Sequence, residues 1–213
     1  NVDCDTNNDS SATNPDRGSW RYVDVVGATL PSTVNHVVFR YGTGPVLWVR
    51  SPNVTVTESV FSQSRDHGAK VENVDAVFRN CEFVGSRNPD RHDAAGLLLD
   101  NTTTDSIAVE LVDNSFADND YAVFVKNPNI DLRNSGNTTD FTNRVNGYRI
   151  TGRMTTPQTW RTGDLPFIVS SRLELGETAA VLVLEPGLTV KMEQGALIEA
   201  VRGLLRSGAE GGA

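Results

Sequence analysis

Residues 54–64, VTVTESVFSQS, are echoed by residues 76–86, AVFRNCEFVGS, and this pair decides the fold. Each has two apolar side chains at alternate positions (Val54 and Val56; Ala76 and Phe78), a short polar step, and then a phenylalanine. The same order recurs in residues 34–42, VNHVVFRYG, and 108–119, AVELVDNSFADN, so that Phe39, Phe61, Phe83 and Phe116 follow one another at spacings of 22, 22 and 33. Alternation at a period of two places side chains on opposite faces of a strand. A repeat of about 22 residues matches one turn of a three-sided parallel β-solenoid. The eleven extra residues in the last interval are expected as loop, where RNPDRHD (87–93) and DNTTTD (100–105) supply turn formers.

Between successive phenylalanine motifs lies a second short strand, in GPVLWV, HGAKV, AGLLLD and YAVFVK, usually introduced by a small residue. Val54, Val56, Ala76, Phe78, Val109 and Leu111 are expected to point inward as stacked columns. Three residues before each phenylalanine stands a polar residue, His36, Glu58, Asn80 or Asp113, expected at a bend where its side chain bonds unpaired backbone. The next residue, Val37, Ser59, Cys81 or Asn114, should turn inward, which makes Cys81 a packed thiol and leaves Cys4 in a separate polar context. Two cysteines so placed do not indicate a redox compartment.

These stretches, with GAKVEN (68–73), resemble rungs of the right-handed parallel β-helix family, the pectin-lyase-like fold, over about residues 34–146. The resemblance implies an all-β solenoid of about six to eight turns. Three segments are expected: a junction over 1–19, β-helix rungs over 20–153, and the start of a further unit over 154–213. In that last segment LEPGLTV (184–190) reads as a Pro-Gly turn between two strands, with Val181, Val183, Leu188 and Val190 inward. It resembles the rungs that begin β-helix units in large bacterial secreted and cell-surface proteins, with Met192 where those rungs carry Phe. In such proteins a loop similar to DTNNDSSATNPDRGSW follows a rung similar to GLLRSGAEGG, which implies that the chain is about one unit of a tandem array whose neighbours are its partners.

Composition narrows the function. Hydrophobic residues make up 38% and aromatics 7%, with abundant Asn, Thr, Asp, Val and Gly, which favours strands and turns. A net charge of −8 and a pI near 4.9 disfavour nucleic acid and anionic membrane as partners, both of which ask for a basic face. No apolar run is long enough to span a bilayer. The acidic balance is compatible with secretion and with divalent cations.

The candidate chemistry falls into two groups. Asp5, Asn7, Asp9, Ser11 through its carbonyl, Thr13 and Asp16 take the positions of a twelve-residue calcium loop, although Ser10 stands where Gly is wanted and Asp16 where Glu is usual. An Asx-turn-rich loop bonding to itself is the alternative. In SRDHGAK, DRHDAAG and ADNDYAV, Asp66, His67, Asp93 and Asp120, with Lys70, Arg91 and His92 nearby, precede successive short strands. Stacking would gather them for glycosidic acid/base chemistry, or they mark bends and nothing more. DHG resembles the GHG of polygalacturonases, but its companion motifs NTD and RIK are absent, as is the pectate-lyase calcium and arginine pattern. His36, His67, His92 and the two cysteines have no zinc spacing. Trp20, Trp48 and Trp160 are either a sugar platform or, for Trp20 and Trp160, core filling, with Trp48 directed outward. Together these readings give an extracellular structural and adhesive module, calcium-stabilised and able to bind polysaccharide or cell-surface glycan; a polysaccharide lyase or glycoside hydrolase is the alternative.

Overall fold

A computed structural model describes residues 16–208, and within them the chain forms 22 strands and no helix. None of its elements is a helix long and apolar enough to cross a membrane. The first fifteen strands group in threes: β1–β3 (Val23–Val26, Ser32–Asn35, Val38–Arg40), β4–β6 (Leu47–Arg50, Val54–Thr57, Val60–Ser62), β7–β9 (Ala69–Glu72, Ala76–Arg79, Glu82–Val84), β10–β12 (Ala95–Asp100, Ile107–Val112, Ser115–Ala117) and β13–β15 (Tyr121–Lys126, Ile130–Ser135, Thr138–Thr139). Each strand pairs in parallel with its counterpart one turn away, building three sheets: β1-β4-β7-β10-β13, β2-β5-β8-β11-β14 and β3-β6-β9-β12-β15. The protein is an all-β parallel β-solenoid of about eight turns, with about 23 residues per turn.

The first sheet continues through β16 (Val145–Met154), β18 (Phe167–Leu175) and β20 (Val190–Met192), with β21 (Leu197–Ala200) also on β18. Here the cross-section changes. The third sheet stops at β15, and β17 (Gln158–Trp160), β19 (Val181–Leu184) and β22 (Leu204–Ser207) form a separate sheet that closes the later turns.

The core consists of columns, because parallel in-register stacking sets like residues on like. Phe39, Phe61, Phe83 and Phe116 pair in register, with ring centroids 5.3, 4.9 and 5.0 Å apart and planes within 15° of parallel. Val54, Ala76 and Val109 form a second column and Val56, Phe78 and Leu111 a third, all buried. The eleven extra residues lie, as expected, in the loops on either side of β10, residues 85–94 and 101–106. The small residue ahead of each first-sheet strand has a steric cause at Gly68: a Cβ there would meet the Gly96 carbonyl at 2.5 Å.

The polar column before each phenylalanine is a bend, but its side chains do not bond the backbone as expected. His36, Glu58, Asn80 and Asp113 all have φ between 49° and 55°, and all are exposed. Gly136 occupies the same corner in the next turn with φ 68°. The position is chosen for the left-handed conformation, which Asn, Asp and Gly adopt most readily. The inward neighbour does the bonding. Asn114 Oδ1 accepts from Cys81 N at 3.0 Å, its Nδ2 donates to the Phe78 carbonyl at 3.0 Å, and Asn137 repeats both bonds with Asn114 N and the Leu111 carbonyl. A second buried ladder runs from Ser86 through Asn119 to Asn143 at the next corner. Cys81 is a buried free thiol in the first ladder, its Sγ 3.3 Å from the Arg79 carbonyl.

One strand assignment in the second half shifts by a residue. Leu182, fully buried, and Leu184 face the core, whereas Val181 and Val183 face out; Leu188 and Val190 pack inward as expected. The Pro-Gly turn is present, with Gly187 at φ 81° and Leu188 N donating to the Glu185 carbonyl at 3.3 Å. Met192 pairs with Val169 in an inward column yet is 48% exposed, since among the described residues no strand pairs with β20 on its other side.

Candidate functional site

The four candidate catalytic residues all precede first-sheet strands: Asp66 and His67 before β7, Asp93 before β10, and Asp120 before β13. The 85–94 loop brings three of them together. Arg91 in this loop stands 3.7 Å from Asp66 Oδ1 and 3.4 Å from Asp93 Oδ1, so one guanidinium spans two carboxylates from successive turns. Both oxygens are buried and reach no donor at hydrogen-bond geometry, which makes this a loose ion cluster. Burial foremost raises the Asp66 carboxyl above its ordinary range; Arg91 opposes this and Asp93 adds to it.

His67 is oriented by the backbone. Its Nδ1 accepts from Ala95 N at 2.9 Å, which puts the proton on Nε2, 3.3 Å from Asp66 Oδ1. Burial lowers its pKa to about 3, so the imidazole is neutral at ordinary pH. Asp120 is spent elsewhere: its Oδ2 accepts from Asn88 N at 2.9 Å and Ala94 N at 3.1 Å, tying both ends of the inserted loop. Asn88 then turns the loop by accepting from Asp90 N and Arg91 N, both at 3.0 Å. The arrangement can hold a loop against a sheet and present one raised carboxyl, Asp66, beside a neutral imidazole.

Beside this cluster the outer face of the first sheet carries residues that alternation alone would leave polar. Ala95, Leu98, Tyr121 and Phe124 form a second buried apolar cluster outside the barrel of strands. Arg149 lies over the Tyr121 and Phe124 rings at 4.4 and 5.0 Å, and Lys126 over Phe124 at 5.3 Å. The signal was present in the runs LLL (97–99) and VFV (123–125), since an unbroken apolar run marks a strand covered on both faces. Further along the same face Trp48 points outward as expected, packed between Arg50 at 4.3 Å and Lys70 at 4.9 Å. Trp160 is core, stacked on Phe167 at 4.7 Å, and Trp20 packs against the core at the first turn. The three tryptophans therefore form no single platform.

Asp5, Asn7, Asp9, Ser11 and Thr13 of the calcium-like loop lie outside the described residues. Asp16 is exposed, with Oδ1 accepting from Arg17 N at 2.6 Å. Among the described residues there is no group of three or more His, Cys, Asp or Glu placed to hold a metal ion. His36 sits at its corner with Nδ1 2.6 Å from Glu58. Asn101 and Asn137, each opening an Asn-Thr-Thr stretch, are buried: Asn137 is a ladder residue, and Asn101 Nδ2 donates to the Asp105 and Asn129 carbonyls at 2.7 Å. No family model matches this chain, and no curated protein or solved structure matches it, so what it can be assigned to is the fold alone, a parallel β-solenoid.

Proposed function

We propose that this chain is a structural and adhesive module of a larger secreted or cell-surface bacterial protein, a length of rod that stacks on further β-solenoid turns and presents its flanks to glycan. The observation that carries this reading is that, among the described residues, both ends of the stack leave apolar side chains exposed. Val23, Val26, Leu30 and Val38 are exposed at one end, and Met192, Leu197, Val201, Leu204 and Leu205 at the other. Among the described residues the strands there pair on one side only, and the first sheet reaches both ends, so a further turn would add in register. Free apolar edges are what a solenoid otherwise caps. The committed hydrogen bonds of Asp120 and the shared Arg91 favour this reading over the hydrolase or lyase alternative, which needs free carboxylates facing substrate.

Stability in a stacked array is a sum of turn and interface terms, so stacking raises the melting temperature. Two copies joined in tandem should melt above the single chain, and Val26→Lys with Leu205→Lys in the tandem should remove the gain. A tandem melting with the single chain, at the same temperature, overturns the stacking reading. The segment Asp5–Asp16 is proposed to bind calcium and stiffen the junction between units. Calcium should then raise the melting temperature relative to chelator, and Asp5→Ala with Asp9→Ala should abolish the rise.

A further inference from the structure

Where the third sheet ends, the narrower turns that follow leave a step, and a groove of about 540 Å³ lies in it, lined by Thr138, Phe141, Arg144, Asn146, Lys191 and Glu193 among others. A smaller hollow of about 250 Å³ adjoins it, sharing Asp164, Leu165, Pro166 and Lys191. The step is a consequence of topology: β15 is the last strand of its sheet, and the chain turns from it directly into β16.

Phe141 is the residue the fold does not explain. In the register of Ser115 with Thr138 and Phe116 with Thr139, it continues the corner held one turn earlier by Asp118. That corner is left-handed throughout: Tyr41, Gln63, Gly85 and Asp118 have φ of 66°, 54°, 73° and 55°, and Phe141 has 65°. Glycine and short polar residues suit such a position better than a bulky aromatic; the other aromatic of the column, Tyr41, is half-buried. Nor does the ring pack away, since Phe141 is 82% exposed.

The charges lining the groove are unequal in availability. Glu193 is held by Arg149 through two bonds of 3.0 and 3.1 Å. Asp164 accepts from Tyr148 Oη at 3.0 Å, Leu165 N at 2.8 Å and Asn137 Nδ2 at 2.8 Å, closing the asparagine ladder. Lys191 and Arg144 are exposed and have no carboxylate partner among the described residues; Arg144 spends one N–H on the His92 carbonyl at 3.1 Å. In a chain of net charge −8, this groove pairs two uncommitted cations with a bare aromatic face.

We infer that the step groove binds a sugar acid, the ring of Phe141 stacking on the saccharide's apolar face while Lys191 and Arg144 take its carboxylate. Aromatic faces offer sugar rings a flat apolar surface, and ammonium and guanidinium groups supply charge-assisted hydrogen bonds to carboxylates. The site rests on the adhesive reading above and specifies where, and for which chemistry, adhesion occurs.

The test is an array of uronate- and sialate-bearing oligosaccharides, each printed beside its neutral counterpart, probed with the 213-residue chain. Acidic members should be retained with at least about tenfold preference, and binding should weaken with salt. Phe141→Gly should lose about tenfold in affinity with an unchanged or raised melting temperature, since glycine suits the corner. Lys191→Gln should lose several-fold and flatten the salt dependence. Equal retention of neutral and acidic members overturns the sugar-acid assignment. Binding that ignores both substitutions overturns the groove while leaving the adhesive reading standing, and retention of no glycan overturns both.

Discussion

The stack of three-strand turns from β1 to β15 and the two-strand turns from β16 to β22 use one core and one continuous sheet, yet they are stabilised differently. In the first region every corner repeats, so phenylalanines, asparagines and left-handed residues line up in columns with registers of 22, 33 and 23 residues. In the second, longer strands carry the load: β16 and β18 run ten and nine residues, and the aromatic contacts are Trp160 stacked on Phe167 and Tyr148 tilted against it at 5.3 Å. Repetition gives each buried group a neighbour of like character in the adjoining turn. Where repetition stops, the chain must satisfy its corners individually, as Asp164 does in closing the ladder of Asn137.

The largest expected effect tests the repeated core. Phe83→Ala removes an inner ring of the four-ring column and should cost about 3–5 kcal/mol, read from denaturant midpoints, whereas Phe39→Ala, at the half-buried end, should cost less. An equal cost at both positions would mean the column is not cooperative. In the two-strand region, Leu182→Ala should cost about 2–4 kcal/mol and Val181→Ala under about 1 kcal/mol, the reverse of what simple sequence alternation gives.

Corner chemistry separates inward from outward residues one position apart. Asn114→Ala leaves Cys81 N without its acceptor and removes the bond to the Phe78 carbonyl, and should cost about 2 kcal/mol. Its outward neighbour tolerates change: Asp113→Gly, at φ 53°, should be neutral or stabilising by a few tenths of a kcal/mol.

The pH dependence falls on the inserted loop. His67 has its pKa lowered to about 3, while the unfolded chain holds it near 6.5, so between these values the unfolded state binds more protons. Stability contributed by neutral His67 is therefore present above about pH 6.5 and lost as pH falls toward 3. Asp66, raised, acts in the opposite sense, losing stability as pH rises above the ordinary carboxylate range. His67→Asn keeps an acceptor for Ala95 N and should flatten the acid limb of the melting profile by up to a few kcal/mol. An unchanged limb would place the acid sensitivity elsewhere.

The repeat was legible because solenoid turns impose identity: Phe39, Phe61, Phe83 and Phe116 could be aligned by counting, and the counting also located the loops of the enlarged turn. What counting could not give was the conformation at each corner. His36, Glu58, Asn80 and Asp113 share polarity, and polarity suggested side-chain bonding, but what they share physically is a positive φ. The gathering of Asp66, His67 and Asp93 could be expected from stacking; that Arg91 spans the two carboxylates and Asp120 fastens the loop depends on how the 85–94 loop folds back.

By itself, then, the sequence determined the columns, since a parallel stack repeats whatever spacing the chain repeats and burial rewards alternate apolar positions. Only the tertiary structure decided which face each strand of the last turns presents, how the outer cluster of Leu98, Tyr121 and Phe124 is covered, and that the third sheet ends at β15. Those outcomes depend on contacts between turns of unequal length, where no periodic signal exists. The step that opens beside Phe141 is one of them.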